Sequence, residues 1–250
     1  MPAAHAGLAD RIAVTFGAMA DDLVQAFLPL EGFVLEHDGK QIYLDIGQEA
    51  GAQVGQELTV FRKGEVFRHP VTGKPLGRHE DVLGYAQVRR VLPRLSEAVF
   101  IPVPGQPQPR PEDGVRISRG RIKVAVAPVL DLTATDADVR RVPYLFATML
   151  ERSRRFQVAD PLVVSDTIAS GHVRIEEILG RPERAIPLGQ TLQVSGWLVP
   201  ILIRRGNTTY LDTTWVSAIT GTALFSRRDA LQNVGSSEEQ RFPWEPLPED

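Results

Sequence analysis

The stretch YLDIGQEAGAQVGQELTVFRKG, residues 43–64, admits two readings that imply different proteins. Gly47, Gly51 and Gly55 lie between two alternating apolar runs. Glycines this close together can cradle a phosphate, or they can let the chain turn tightly between strands, because glycine alone adopts positive φ without steric cost. A dinucleotide fingerprint needs G-x-G-x-x-G opening a helix. Here the glycines are spaced four apart and lead into ELTVFR, a strand pattern. The residues therefore read as turn formers between strands. A second candidate, VTGKPLG, has Pro75 where a phosphate loop has serine or threonine and Arg68 where its first glycine belongs, so Lys74 is a turn residue.

Working outward, the period stays at two over about 75 residues. GFVLEHDGKQIYLDI reads as two strands joined at Asp38-Gly39, a hairpin dipeptide whose residues tolerate positive φ. QELTVFRKGEVFR reads as another strand pair turning at Lys63-Gly64, and VLGYAQVRRVL and EAVFIPV follow. Five or six short strands with tight turns predict a small β-barrel over residues 31–103. Residues 104–114, PGQPQPRPEDG, hold four prolines and almost nothing apolar, and are expected to form a stiff linker between domains.

Beyond the linker the rhythm changes to strand, helix, strand, helix. IKVAVAPVLDL is followed by a helical pattern with Val139, Val142, Phe146, Met149 and Leu150 on one face, then by QVAD and a helix from Pro161. Three long strands close the half, with Arg205-Gly206-Asn207 and Thr220-Gly221 where hairpin turns belong. The expectation is an α/β domain with a mixed sheet over residues 115–232, and an α+β chain as a whole. Residues 233–250 form an acidic tail with Pro243, Pro246 and Pro248.

At the front, residues 1–30 hold an amphipathic helix: Leu8, Ile12, Phe16, Met19, Leu23 and Phe27 recur at spacings of three and four. This apolar face either covers the open side of its own domain's sheet, the barrel that follows it, or docks a partner. Phe242 and Trp244 sit in the tail without a core of their own, and a tryptophan in that setting suits a protein anchor. These eight side chains are the candidate partner contacts.

Composition excludes several classes. The formal net charge is −3, of which the tail contributes −4, so the body carries no cationic footprint for nucleic acid. The longest apolar run is about seven residues, 124–130, against the ~18 that a spanning helix needs, so no transmembrane segment is expected. There is no cysteine, and the five histidines show neither H-E-x-x-H spacing nor an i,i+4 pair, which argues against a metal site. No G-x-S-x-G elbow or facing carboxylate pair points to catalysis, and no cofactor is expected. Ala4-His5-Ala6 fits the small-x-small pattern of signal-peptidase cleavage, but no apolar run precedes it, so these residues are either the remnant of a cleavage site, the signal peptide being removed or absent, or an ordinary alanine-rich start, and they do not decide the compartment.

The run VLEHDGKQIYLDIGQEAGAQVGQELTVFRKGE followed by PVTGKPLGRHEDVLGYAQVRRVLPRLSEA resembles the carboxy-terminal β-domain of flagellar assembly protein T, with Gly47, Gly51, Gly55, Gly73 and Gly84 at the matching turns. IKVAVAPVLD, LERSRRFQVAD, VSGWLVPI and TTWVSAITGTAL resemble the α/β domain shared by the amino-terminal region of TolB, the curli-secretion lipoprotein family and the middle domain of the flagellar protein. The two domains stand here in the reverse of the flagellar order. The resemblance implies a non-enzymatic periplasmic scaffold of a Gram-negative flagellar, pilus or secretion apparatus, whose partners are envelope proteins in a homo-oligomeric ring or a larger assembly. The alternative is a glycan or small-ligand binding module. Its site would lie in the loops after Leu130 and Ala159, with Asp131, Thr133, Asp136 and Asp160 as polar groups, unless these residues simply cap helices.

Overall fold

The computed structural model describes residues 7–133 and 138–231. The chain begins with α1 (Leu8–Ala26) and then builds six strands: β1 (Leu30–Asp38), β2 (Gln41–Leu44), β3 (Glu57–Arg68), β4 (Pro75–Val91), β5 (Ser96–Pro102) and β6 (Gly114–Ile117). They close a barrel in the order β1-β2-β5-β4-β3-β6, sealed by antiparallel pairing of β6 with both β1 and β3. Its interior is a dry cluster that includes Val34, Ile42, Leu44, Leu58, Val60, Leu83, Val88 and Val115. Alternation delivers these side chains inward, since neighbouring residues of a strand face opposite sides.

Pairing of β6 within the barrel corrects the sequence reading in one place. Residues 104–113 are a loop between two barrel strands and Gly114 opens β6, so 104–114 is not the boundary between domains. GVRI is too short to register as an alternating strand, and the prolines before it mask it. The loop is held down: Val34 N–H donates to the Asp113 carbonyl and Glu112 N–H to the Val34 carbonyl, at 2.9 and 3.0 Å. A second correction concerns Lys63-Gly64, which lies inside β3 at a bulge; the turn comes five residues later, after Arg68.

The chain leaves the barrel after Ile117 and forms β7 (Ile122–Val126), β8 (Leu130–Asp131), α2 (Val142–Arg152), β9 (Phe156–Val158), α3 (Pro161–Ser170), α4 (Ile175–Gly180), α5 (Pro182–Leu192), β10 (Gly196–Arg205), β11 (Thr208–Ser217) and β12 (Ala223–Ala230). The sheet order is β12-β11-β10-β7-β9, with β8 pairing β10. β7 runs parallel to β9 and β10, while β11 is antiparallel to β10 and β12, which makes the sheet mixed. Alternation along β7 feeds two cores. Val124 and Val126 pack with α1 and α2 on one face, and Ala125 and Ala127 pack with α3, α4 and α5 on the other.

The position of α1 is the principal difference from expectation. Its apolar face covers the sheet of the second half of the chain, beside α2, rather than the barrel that follows it in sequence. The Phe16 and Phe146 rings stack 3.7 Å apart between the two helices. Phe27 lies among Phe156, Trp215 and Phe225. The barrel is thus inserted between α1 and β7 of one helix-sheet-helix sandwich.

Candidate interaction surfaces

The structure removes most of α1 from the list of partner contacts. Ile12, Phe16, Met19, Leu23 and Phe27 are buried in the chain's own core, and Leu8 packs half-buried at its rim. Their helical spacing reported burial correctly but could not say against what. Phe242 and Trp244 lie outside the described residues, as does Asp136. Asp160 caps α3, accepting from Leu162 N–H at 2.9 Å. Asp131 accepts from the backbone and hydroxyl of Thr133 at 2.8 and 2.6 Å. Asp160 thus caps a helix, as the capping interpretation expects, whereas Asp131 caps none and serves a local turn after β8.

The first exposed feature is an arm. β6 pairs with β3 only through Thr59, Val60 and Phe61, and β5 pairs with β4 only from Gly84 onward. From residue 62 to residue 82 the two strands pair only with each other, so both outer edges are open. The base of the arm is locked. The Arg62 guanidinium donates twice to the Asp113 carboxylate at 2.8 and 2.7 Å, and this bonding raises its pKa further above the ordinary value. Arg116 donates to both oxygens of Glu80 at 3.1 and 2.6 Å and lies over the Phe61 ring. A hollow of about 310 Å³ opens at this base, with Phe33, Phe61, Lys63 and Arg116 among its walls. The outer part instead exposes Phe67, Val71 and Leu76, with Val71 at 87% exposure, among Arg68, Lys74 and Arg78.

The second feature is a groove at the carboxyl ends of the parallel strands. The connection after β7 leads to α2 on one face of the sheet, and the connection after β9 leads to α3 on the other. Chain connections that part in this way leave a crevice where open α/β sheets bind ligands. A groove of about 350 Å³ lies there, walled by Val129, Val139, Arg140, Tyr144, Pro161 and Leu162, with Pro128 and Pro143 beside them. Tyr144 and Leu162 are exposed on its lip. Arg140 is held by Asp138 through bonds of 3.0 and 2.8 Å, which lower the Asp138 pKa to about 2.

The third feature joins the barrel to the sandwich. Arg155 is buried, and its guanidinium donates to the carbonyls of Phe27, Ser118 and Gly120, so one side chain clasps the chain both where it enters the barrel and where it leaves. Desolvation lowers its pKa. Glu57 of β3 accepts from Ser217 and Thr220 hydroxyls at 2.7 and 2.8 Å and from Gln87 at 2.8 Å, tying the barrel to the β11–β12 turn. Gln56 donates to the Ala26 carbonyl at 3.0 Å. Sequence reasoning missed this role of Arg155, because the run RSRR at the end of a helix already has an explanation in the helix dipole.

Among the described residues, no helix is long and apolar enough to cross a membrane, and no group of His, Asp or Glu could hold a metal ion. No protein-family model matches the chain. No curated protein is similar to it in sequence. Among solved structures, it is similar to the LpoB C-terminal domain from Escherichia coli, at 15% identity and TM-score 0.37 over 44% of this chain and 82% of that one. It is also similar to lipoprotein GNA1162 from Neisseria meningitidis, at 17% identity and TM-score 0.35 over 48% of this chain and 86% of that one. Similarity this loose assigns no role.

Proposed function

We propose that this chain is a non-enzymatic periplasmic scaffold of a Gram-negative envelope machine, of the flagellar, pilus or secretion kind, that docks other envelope proteins. The observation that carries the reading is the arm of β3 and β4. A two-stranded ribbon is at best marginally stable alone, and this one extends past the barrel while burying little. Open edges with exposed apolar and basic side chains suit addition of a partner's strand, in which backbone bonds give affinity and side-chain pockets give register. The resemblance of residues 34–98 to the flagellar protein's β-domain, and of the second half to TolB and the curli-secretion lipoproteins, supports the compartment and the kind of machine. The division into an inserted barrel and a sandwich around it supports a rigid spacer with contacts at both ends.

The test is to replace residues 64–79 by Asn-Gly, which joins the paired residues Lys63 and Glu80 through a two-residue hairpin turn. The shortened protein is expected to melt within a few degrees of the parent and to lose co-sedimentation with isolated envelope complexes. A shortened protein that sediments as before would refute docking through the arm. The glycan alternative gains no support from the groove: Asp131 and Asp160 serve local turns, and neither belongs to its walls.

A further inference from the structure

The groove between the β7 and β9 connections has the composition of a site for extended proline-rich peptide, and the chain carries such a segment. The tail reads RFPWEPLPED, in which Pro243-Trp244-Glu245-Pro246 is a P-x-x-P motif followed by Leu247-Pro248. P-x-x-P segments favour a left-handed extended helix with three residues per turn, and they dock on grooves lined by aromatic and apolar groups. Tyr144, Leu162 and the three flanking prolines supply such a lining. We propose that the tail of this chain folds back and seats Pro243, Trp244 and Pro246 in this groove.

Topology puts the tail within reach. β12 is antiparallel to β11, β11 to β10, and β10 is parallel to β7, so β12 ends at the same edge of the sheet as β7 and β9. Leu231 therefore leaves the fold on the side where the groove opens. The β7–β9 crevice is some three and a half strand spacings from β12, roughly 17 Å. The eleven residues 232–242 can span about 36 Å when extended, twice what is needed. Charge adds to the fit. Residues 232–250 carry a net charge of −4, with Glu245 inside the motif. Arg141 stands exposed beside the groove as the residue preceding α2, and the positive ends of α2 and α3 both point to this edge.

Tethering makes even a weak contact count. A short flexible linker presents its end at an effective concentration in the millimolar range, so a groove with a Kd of about 1 mM for the free peptide is substantially filled in cis. Any other proline-rich peptide must first displace the tail.

Trp244 reports occupancy in the full-length protein, because Trp197 and Trp215 are buried in the core and their emission is subtracted with Trp244→Phe. Acrylamide quenching of Trp244 is expected to be several-fold weaker in the protein than in a synthetic peptide of residues 236–250. Leu162→Glu, at an exposed position, should raise it to the peptide's value without changing the melting temperature. Pro243→Ala with Pro246→Ala should do the same from the tail side. Quenching equal to that of the peptide in the parent, or protection that survives both sets of substitutions, overturns the proposal. Protection that grows with protein concentration overturns it too, because it seats the tail on another copy.

Discussion

Gly51 and Gly55 separate two reasons for a glycine within one short stretch. Both hold φ near +90°, and a Cβ on Gly51 would meet open space, whereas one on Gly55 would approach the Leu224 carbonyl to 2.7 Å. Gly51→Ala should therefore cost only the backbone term of about 1–2 kcal/mol. Gly55→Ala should cost that and a displacement of β12, about 3 kcal/mol or more in urea denaturation. Equal losses would show that the junction yields freely. The turn reading of these glycines was legible because their spacing fails the phosphate template. The contact of Gly55 with Leu224, in a strand far along the chain, was not, since nothing local encodes it. Asp138 offers a second test at this scale. Its pKa is depressed to about 2, first by the side-chain hydrogen bond from Arg140. The Asp138–Arg140 pair should therefore persist above the ordinary carboxylate range and be lost as pH falls through about 2. Followed by NMR, Arg140→Ala should return the Asp138 titration upward; an unchanged midpoint would remove the pair.

Elements differ in how much of their fate their own sequence carries. The hairpin at Asp38-Gly39 and those at Gly206 and Gly221 were readable because turn chemistry is local, and all three glycines hold positive φ. β6 was not readable, because four residues after a proline-rich loop carry too little pattern and pairing with β1 and β3 alone makes them a strand. The α1 periodicity gave a buried face but no address. That face now yields a prediction. Phe16 is almost fully buried and stacks on Phe146, so Phe16→Ala should destabilise by about 3–5 kcal/mol. Had α1 been a docking helix, the same substitution would leave the melting temperature alone and weaken assembly. Val14, exposed on the opposite side of the helix, is the control: Val14→Ala should change stability by less than about 0.5 kcal/mol.

For the whole molecule, the insertion of the barrel means that two separate chain crossings, before Leu30 and after Ile117, must stay together for the sandwich to keep α1. Sequence order hid this arrangement, since proximity along the chain assigns α1 to the barrel. Arg155 binds both crossings and Glu57 ties the barrel to the β11–β12 turn, so the two cores should unfold as one cooperative unit. Arg155→Met removes three bonds from a charged donor and leaves the carbonyl of buried Phe27 short of a partner, which should cost on the order of 3 kcal/mol. Glu57→Ala alone should cost less, because Glu57 is itself partly exposed, so water can enter where the carboxylate was, and Ser217 Oγ still accepts from the Ile219 and Thr220 N–H groups. Combined, the two substitutions remove the side-chain clasp at both ends of the interface while leaving both cores filled. Calorimetry should then split one transition into two, with the barrel retaining its strand signal after the sandwich has melted. A double variant that still melts in one step would mean that packing of Phe27 and Ile122 at the junction, with the Gln56–Ala26 bond, couples the two halves rather than Arg155 and Glu57.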